Sequence, residues 1–207
     1  MGMVIKLAQG SLTEGNQAVL VNASNTNAEL GSGVSGAISR SCGRGYQAQL
    51  RLELTQKFGG PMIPGQVLMT HAGMHPRAKW VAHVAVMDYR EGFSGKSFPT
   101  TDTIRTGCEA LWDAIETLPG TDPLSVAMVA LGAGTGNLGV REPVRIAAET
   151  LESHLAIHSG SRIETVVFYG FQLQEYVAMA EVLLPFFPEI AKTLSPEVAR
   201  LLARVEG

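Results

Sequence analysis

Val21-Asn22-Ala23-Ser24-Asn25, followed by Leu30-Gly31-Ser32-Gly33-Val34-Ser35-Gly36-Ala37-Ile38, is the stretch on which the fold turns. It sits behind Ala18-Val19-Leu20, and residues 18–21 form a compact apolar run of the kind found in buried strands. Residues 22–33 are rich in Asn, Ser and Gly and read as a loop. A short helix is expected over residues 35–41, with Ala37, Ile38 and Cys42 facing inward. Glycine lets a backbone approach a ligand closely, and a helix start adds free N–H donors and the positive end of a dipole. Such a loop can hold a phosphate. About a hundred residues later a second loop of the same kind, Gly132-Ala133-Gly134-Thr135-Gly136-Asn137-Leu138-Gly139, follows another apolar run. Two such loops brought together could hold a diphosphate from both sides.

Outward from these loops, strand and helix patterns alternate. Strands are expected at residues 4–7, 18–21, 66–70, 80–87, 125–131 and 165–169. Helices are expected at 46–58, 100–118, 142–158 and 172–186, and over 188–205 with a break at Ser195-Pro196. In the helix that Thr100 or Thr101 caps, Ile104, Cys108, Leu111, Trp112 and Ile115 share one face. In the last helix Val198, Leu202 and Val205 keep near-helical spacing, Ser195 is the cap and Pro196 the first helical residue. Residues 88–99 carry Gly92, Gly95 and Pro99 with little periodicity and read as a surface loop. The alternation predicts an α/β sandwich with a largely parallel sheet. No segment reads as an inter-domain linker, so residues 1–207 are taken as one domain, with 187–207 as a C-terminal helical extension.

Composition narrows the function. Of 207 residues, 45% are hydrophobic and 17% charged, which favours a filled core over disorder. A net charge of −3 lacks the basic footprint of a duplex-binding protein, yet loop amides can bind phosphate without Lys or Arg. No apolar run approaches the roughly 20 residues that cross a bilayer, and residues 1–10 lack the pattern of a signal peptide. Cys42 and Cys108 have no metal-ligand spacing, and neither a metal nor a cofactor is expected. A cytoplasmic, thiol-reduced chain is the simplest reading. Oligomeric state has no signal in the sequence.

Both loops contain a literal G-x-G-x-x-G: Gly31/Gly33/Gly36 and Gly134/Gly136/Gly139. A nicotinamide-dependent oxidoreductase with a dinucleotide-binding unit would need a tight turn directly after a strand, a helix, and an acidic residue about 20 positions on. The first loop instead begins nine residues after Asn22, and the acid that follows, Glu53, lies within a helical pattern. The second loop leads to a helix and then Phe168-Tyr169, with no acid at the strand end. That assignment is the outsider.

The opening stretch resembles the macrodomain signature, which reads approximately V-N-A-A-N, a few residues, then L-G-G-G-G-V-x-G-A-I. Gln9-Gly10-Ser11-Leu12-Thr13 resembles that family's G-D-I-T, residues 131–139 its second phosphate loop, and residues 166–171 the strand that ends beside adenine. The match runs in order over residues 3–185. The resemblance implies a three-layer α/β/α sandwich around a mixed, largely parallel sheet, and ADP-ribose or an ADP-ribosylated substrate as partner. It also implies roles. Asn25, whose amide offers two donors and an acceptor, would touch the distal ribose and is the candidate catalytic residue. Gly31, Gly33 and Val34 would give backbone N–H groups, and Gly134, Thr135, Gly136, Asn137 and Leu138 would cradle the other side. Phe171 would stack on adenine, with ordinary core packing as the alternative. Ser11 stands where the family carries an Asp that accepts from the adenine amino group, leaving the backbone of Leu12 as a contact. Ser35 stands where the hydrolytic branch carries an Asp that orients or activates water. A serine without a base beside it cannot do this, so the chain is either an ADP-ribosyl hydrolase using other means or a non-catalytic reader. Asn22 reads more simply as bonding its own loop, and His83 as a satisfied core histidine. His71, the Asp88-Tyr89-Arg90 loop start and Cys42 are further candidates, with loop solvation or packing as the plainer reading.

Overall fold

The computed structural model describes residues 3–203. Six strands form one sheet in the order β1-β6-β5-β2-β4-β3: β1 (Val4–Gln9), β2 (Val19–Asn25), β3 (Val67–His71), β4 (Trp80–Met87), β5 (Leu124–Met128) and β6 (Ile163–Gly170). All pairings are parallel except β3 against β4. Among the described residues, four α-helices lie between strands, α1 (Gly33–Cys42), α2 (Tyr46–Phe58), α3 (Thr101–Glu116) and α4 (Arg141–Ile157), and α5 (Leu173–Leu183) and α6 (Pro196–Ala203) follow the last strand. Helices cover both sides of the mixed sheet, giving the α/β sandwich expected from the alternation and the three layers implied by the resemblance.

The core follows the apolar periodicity. Ile104, Cys108, Leu111, Trp112 and Ile115 of α3 are all fully buried, and the Trp112 indole N–H donates to Thr150 Oγ1 of α4 at 3.0 Å. Thr100 Oγ1 accepts from the Thr103 N–H and sets the start of α3. A smaller cluster, Leu50, Leu54, Met62 and Leu68 among it, lies under α2. Val198 of α6 is fully buried, and the Ser195 hydroxyl accepts from its N–H, so that helix packs onto the domain as its cap predicts. Val205 lies outside the described residues.

Several boundaries differ from the sequence reading. Residues 22–25, expected as loop, continue β2 and pair with β4 as far as Asn25↔Met87, with a bulge at Ser24/Asn25. Their polarity resembles a loop because Asn22 and Ser24 are buried polar residues satisfied by hydrogen bonds. Strand β5 ends at Met128, short of residue 131, because the chain turns there and Ala133 N–H bonds Ala130 O. The segment Pro188–Thr193, expected as α-helix, is a 3-10 helix. A second short 3-10 turn, Gly95–Ser97, capped by Ser94, interrupts the loop over residues 88–99.

The topology creates a crevice. From β2 the chain moves to β4 on one side, while β5 lies on the other side of β2, paired through Val19↔Val126 and Leu20↔Ala127. This is a switch point of the parallel sheet, and ligands of open α/β sheets sit at the carboxyl ends of strands there.

Candidate functional site

A cleft of about 850 Å³ opens at those carboxyl ends. Most of its floor and walls comes from five places in the chain. They are the turn after β1 (Gly10 to Glu14), the start of α1 (Ser32 to Ser35), the end of β4 (Val86, Met87), the loop after β5 (Val129 to Gly136, less Leu131), and the end of β6 with α5 (Tyr169, Phe171, Glu175). The two glycine loops therefore face one cavity, brought together because β2 and β5 are neighbours in the sheet.

Each loop directs backbone donors into it. Gly33 has φ +57°, which a residue with a side chain adopts only under strain, and a Cβ there would meet open space. Ser32, at the N-cap of α1, makes no side-chain capping bond. Among the described residues, the N–H groups of Gly33, Val34 and Ser35 have no protein acceptor. The second loop closes on itself through Asn137 N–H to Gly134 O and Leu138 N–H to Gly132 O. That closure leaves the N–H groups of Gly134, Thr135 and Gly136 without a protein acceptor among the described residues. Gly136 is required sterically, since a Cβ would stand 2.4 Å from Gly132 O. Arg40 is the one basic side chain on the lining.

Behind Ser35 runs a buried polar chain. The Ser35 hydroxyl donates to Asn22 Oδ1 at 2.9 Å, and Asn22 Nδ2 donates to His83 Nδ1 at 3.1 Å. With Nδ1 accepting, the His83 proton sits on Nε2 and is donated to Tyr46 Oη at 3.0 Å, which in turn donates to Thr70 Oγ1 at 2.7 Å. Burial pushes the His83 pKa down to about 3, so the ring is neutral. It also pushes the Tyr46 hydroxyl upward. Every donor in the chain points away from the cleft, so Ser35 turns its lone pairs toward the ligand space. The plain reading of His83 as a satisfied core histidine holds. Asn22 does not bond its own loop but joins His83 to Ser35, a link with no local signal because Asn22 and His83 are 61 residues apart in the chain.

Of the residues singled out from the sequence, Ser11, Leu12, Gly33, Val34, Ser35, Gly134, Thr135, Gly136 and Phe171 line the cleft. Gly31, Asn25, Asn137 and Leu138 are not on its lining. The Asn25 amide, expected to reach the distal ribose, is engaged by its own loop. Oδ1 accepts from the Asn27 and Glu29 N–H groups, and Nδ2 donates to Glu29 O at 2.9 Å. Asn137 is exposed with φ +57°, a turn residue, and Leu138 packs against the core. The Ser11 hydroxyl accepts from the Thr13 N–H, capping the turn that follows β1, and also bonds Thr13 Oγ1 at 2.8 Å. Phe171 is 70% exposed at the cleft mouth, which removes the core-packing alternative. Its N–H, and that of Gln172, donate to Glu175 Oε2. Glu175 is a cleft carboxylate that sequence reasoning missed; its only signal was its place three residues into a helix.

The remaining candidates stand elsewhere. His71 packs tilted against Trp80 with ring centroids 4.1 Å apart, away from the cleft. Asp88 pairs with Arg90 at 2.7 Å in a separate surface depression of about 330 Å³. Cys42 and Cys108 are buried, and desolvation raises their thiols to about 11 and about 12, unsuited to nucleophilic chemistry.

The model of the Macro domain family matches residues 21–147, and the chain belongs to the macrodomain family. Among curated relatives, a macro domain-containing protein of Streptomyces griseus is 29% identical over 180 residues, covering 87% of this chain and 94% of its own. An O-acetyl-ADP-ribose deacetylase of Cronobacter turicensis is 29% identical over 151 residues, covering 73% and 80% respectively. Among solved structures, the Trypanosoma brucei macrodomain in complex with ADP-ribose superposes with a TM-score of 0.68 at 24% identity, covering 86% of this chain and 68% of that one. No helix among the described residues is long and apolar enough to cross a membrane.

Proposed function

We propose that this macrodomain binds ADP-ribose, or a close derivative, across the cleft. The diphosphate lies between the two loops and receives the N–H groups of Gly33, Val34 and Ser35 from one side and of Gly134, Thr135 and Gly136 from the other. The observation that carries this reading is the set of unpartnered amides converging from two loops on one cavity. Charge-assisted hydrogen bonds of that kind contribute about 1.5–3 kcal/mol each. The dipole at the start of α1 adds to them. Phe171 stacks on adenine at the mouth, and Glu175 or the Leu12 backbone takes the role that an Asp would fill at Ser11. The distal ribose lies toward Ser35, whose hydroxyl, donating to Asn22, accepts from a ribose hydroxyl or a water. Asn25 acts by shaping the loop that leads into α1.

The absence of a carboxylate at Ser35, together with a hydroxyl already committed as donor to Asn22, favours a reader that holds its ligand without turnover. Hydrolysis is the second reading, supported by relatives such as the Cronobacter deacetylase. In it the cleft orients a water against the bond to be broken, with positioning as the main source of rate. Calorimetric titration with ADP-ribose, AMP and intact NAD tests the binding. ADP-ribose is expected to bind much more tightly than NAD; equal or preferred NAD binding overturns the assignment. Incubation with glutamate-, serine- and thymidine-linked ADP-ribose and with O-acetyl-ADP-ribose separates the two readings, since product release from any of them removes the reader.

A further inference from the structure

The carboxyl-terminal ends of α3 and α4, away from the cleft, bring Asp113, His154 and His158 together. Their three donor atoms lie within 4.8 Å of one another, the two histidines being four residues apart in the chain and Asp113 coming from the neighbouring helix. We propose that these three side chains form a binding site for one divalent transition-metal ion of the zinc type.

The polar contacts around the two rings orient them. His158 Nδ1 lies 3.0 Å from the His154 carbonyl, which only accepts, so its proton is on Nδ1 and Nε2 carries a lone pair. His154 stands between two carboxylates, with Nε2 3.4 Å from Glu116 Oε1 and Nδ1 turned to Asp113. That Nδ1 stands 3.4 Å from Asp113 Oδ1. Either a proton on Nδ1 or a metal ion can sit between these two atoms, and metal binding displaces the proton. Two donors, each about 2.0–2.1 Å from a tetrahedral ion, stand about 3.3–3.4 Å apart, so this pair already has the required separation. His158 is exposed at the end of α4, its ring 4.1 Å from that of His154, and has room to close the third corner. A water completes the fourth.

The surroundings have the build of a metal site. Histidine ligands are usually oriented by a carboxylate or carbonyl on the second ring nitrogen. Here Glu116 does this for His154 and a backbone carbonyl for His158. Glu116 is itself fixed by the Ser161 hydroxyl and by the Arg162 N–H at 3.1 Å. His154 is nearly buried, so one ligand is rigid and the exposed two adjust to it. Two imidazoles and one carboxylate suit Zn²⁺, Ni²⁺ or Co²⁺ and disfavour Mg²⁺ and Ca²⁺, which require oxygen donors. A bound ion ties α3 to α4. Since α4 has 17 residues and spans about 25 Å, the ion lies far from the cleft, and its binding is independent of ADP-ribose.

The test is titration of the chelator-treated full chain with ZnCl₂, by calorimetry and thermal melting, with MgCl₂ as contrast. One Zn²⁺ per chain is expected, with Tm raised by roughly 5–10 °C at a hundredfold excess over Kd, and no response to Mg²⁺. His158→Ala and Asp113→Asn, at exposed positions, should each weaken Zn²⁺ binding at least tenfold while melting normally without metal. Glu116→Gln should weaken it by about 10–100-fold. No Zn²⁺ binding, or binding that survives both His158→Ala and Asp113→Asn, overturns the proposal. ADP-ribose titration of the same variants should be unchanged, so a failure of the cleft assignment leaves this result readable.

Discussion

Replacing Phe171 by Ala separates binding from folding. The side chain is 70% exposed, so its removal leaves the core intact, and Tm should stay within about 2 °C of the parent. An aromatic side chain of roughly 200 Å² that is mostly exposed offers about 140 Å² to a ligand, and a base stacked on one face covers about half of that. At about 25 cal/mol per Å², some 70 Å² corresponds to about 1.8 kcal/mol, or a loss of roughly 20-fold in affinity. This lies within the usual range of about 1–3 kcal/mol for base stacking on an aromatic ring. Calorimetry with ADP-ribose reads the loss directly. Ribose 5-phosphate, which lacks the base, should bind the parent and the variant equally, and Phe171→Tyr should restore ADP-ribose affinity. If Phe171→Ala binds ADP-ribose within twofold of the parent, or weakens both ligands alike, Phe171 is not the adenine platform.

Other perturbations address the rest of the site. Gly33→Glu places a carboxylate where a Cβ meets open space at the loop and should abolish ADP-ribose binding; retained affinity would make the loop purely structural. Gly136→Ala sets a methyl 2.4 Å from Gly132 O, forcing the second loop open, and should cost at least about tenfold in affinity through misdirected donors, as measured by the same titration. Asn25→Ala removes three loop hydrogen bonds and should lower both stability, by about 1–3 kcal/mol in urea unfolding, and affinity; an unchanged unfolding curve argues against its loop-shaping role. His83 has a folded pKa of about 3, below its unfolded value near 6.5. Between these values the unfolded chain holds a proton that the native ring rejects, so stability is lost as pH falls from about 6.5 toward 3. By pH 5 the loss should reach about 2 kcal/mol in urea unfolding and should be absent in His83→Gln; parallel curves for both proteins would sink the argument.

What the sequence made legible was whatever local pattern encodes. The buried face of α3, the Thr100 and Ser195 caps and the order of strands and helices follow from periodicity and capping chemistry, and they recur in the structure. The glycine loops were legible too, because few other functions need so many small residues after a strand. Residues 22–25 misled because a strand that carries buried Asn and Ser looks like a loop until its distant partners, Ser35 and His83, are in place. Phe171 was ambiguous because one aromatic after a strand does not reveal its exposure. The Asn25 amide was assigned to the distal ribose and is found bonded to its own loop, since an Asn serves a ligand and an Asx turn equally well. Asp113 and His154 lie on different helices and meet only through the packing of α3 on α4, beyond any spacing rule.

The direct pairing of β2 with β5 has a consequence for how the molecule comes together. Each half of the proposed cradle belongs to a different part of the chain, so under the proposed function neither half recognises a ligand until the central seam of the sheet has zipped. Occupancy is thus a report that the topology is complete. A small molecule that spans both halves acts as a clasp across that seam, and unfolding must release it before the two strands can part.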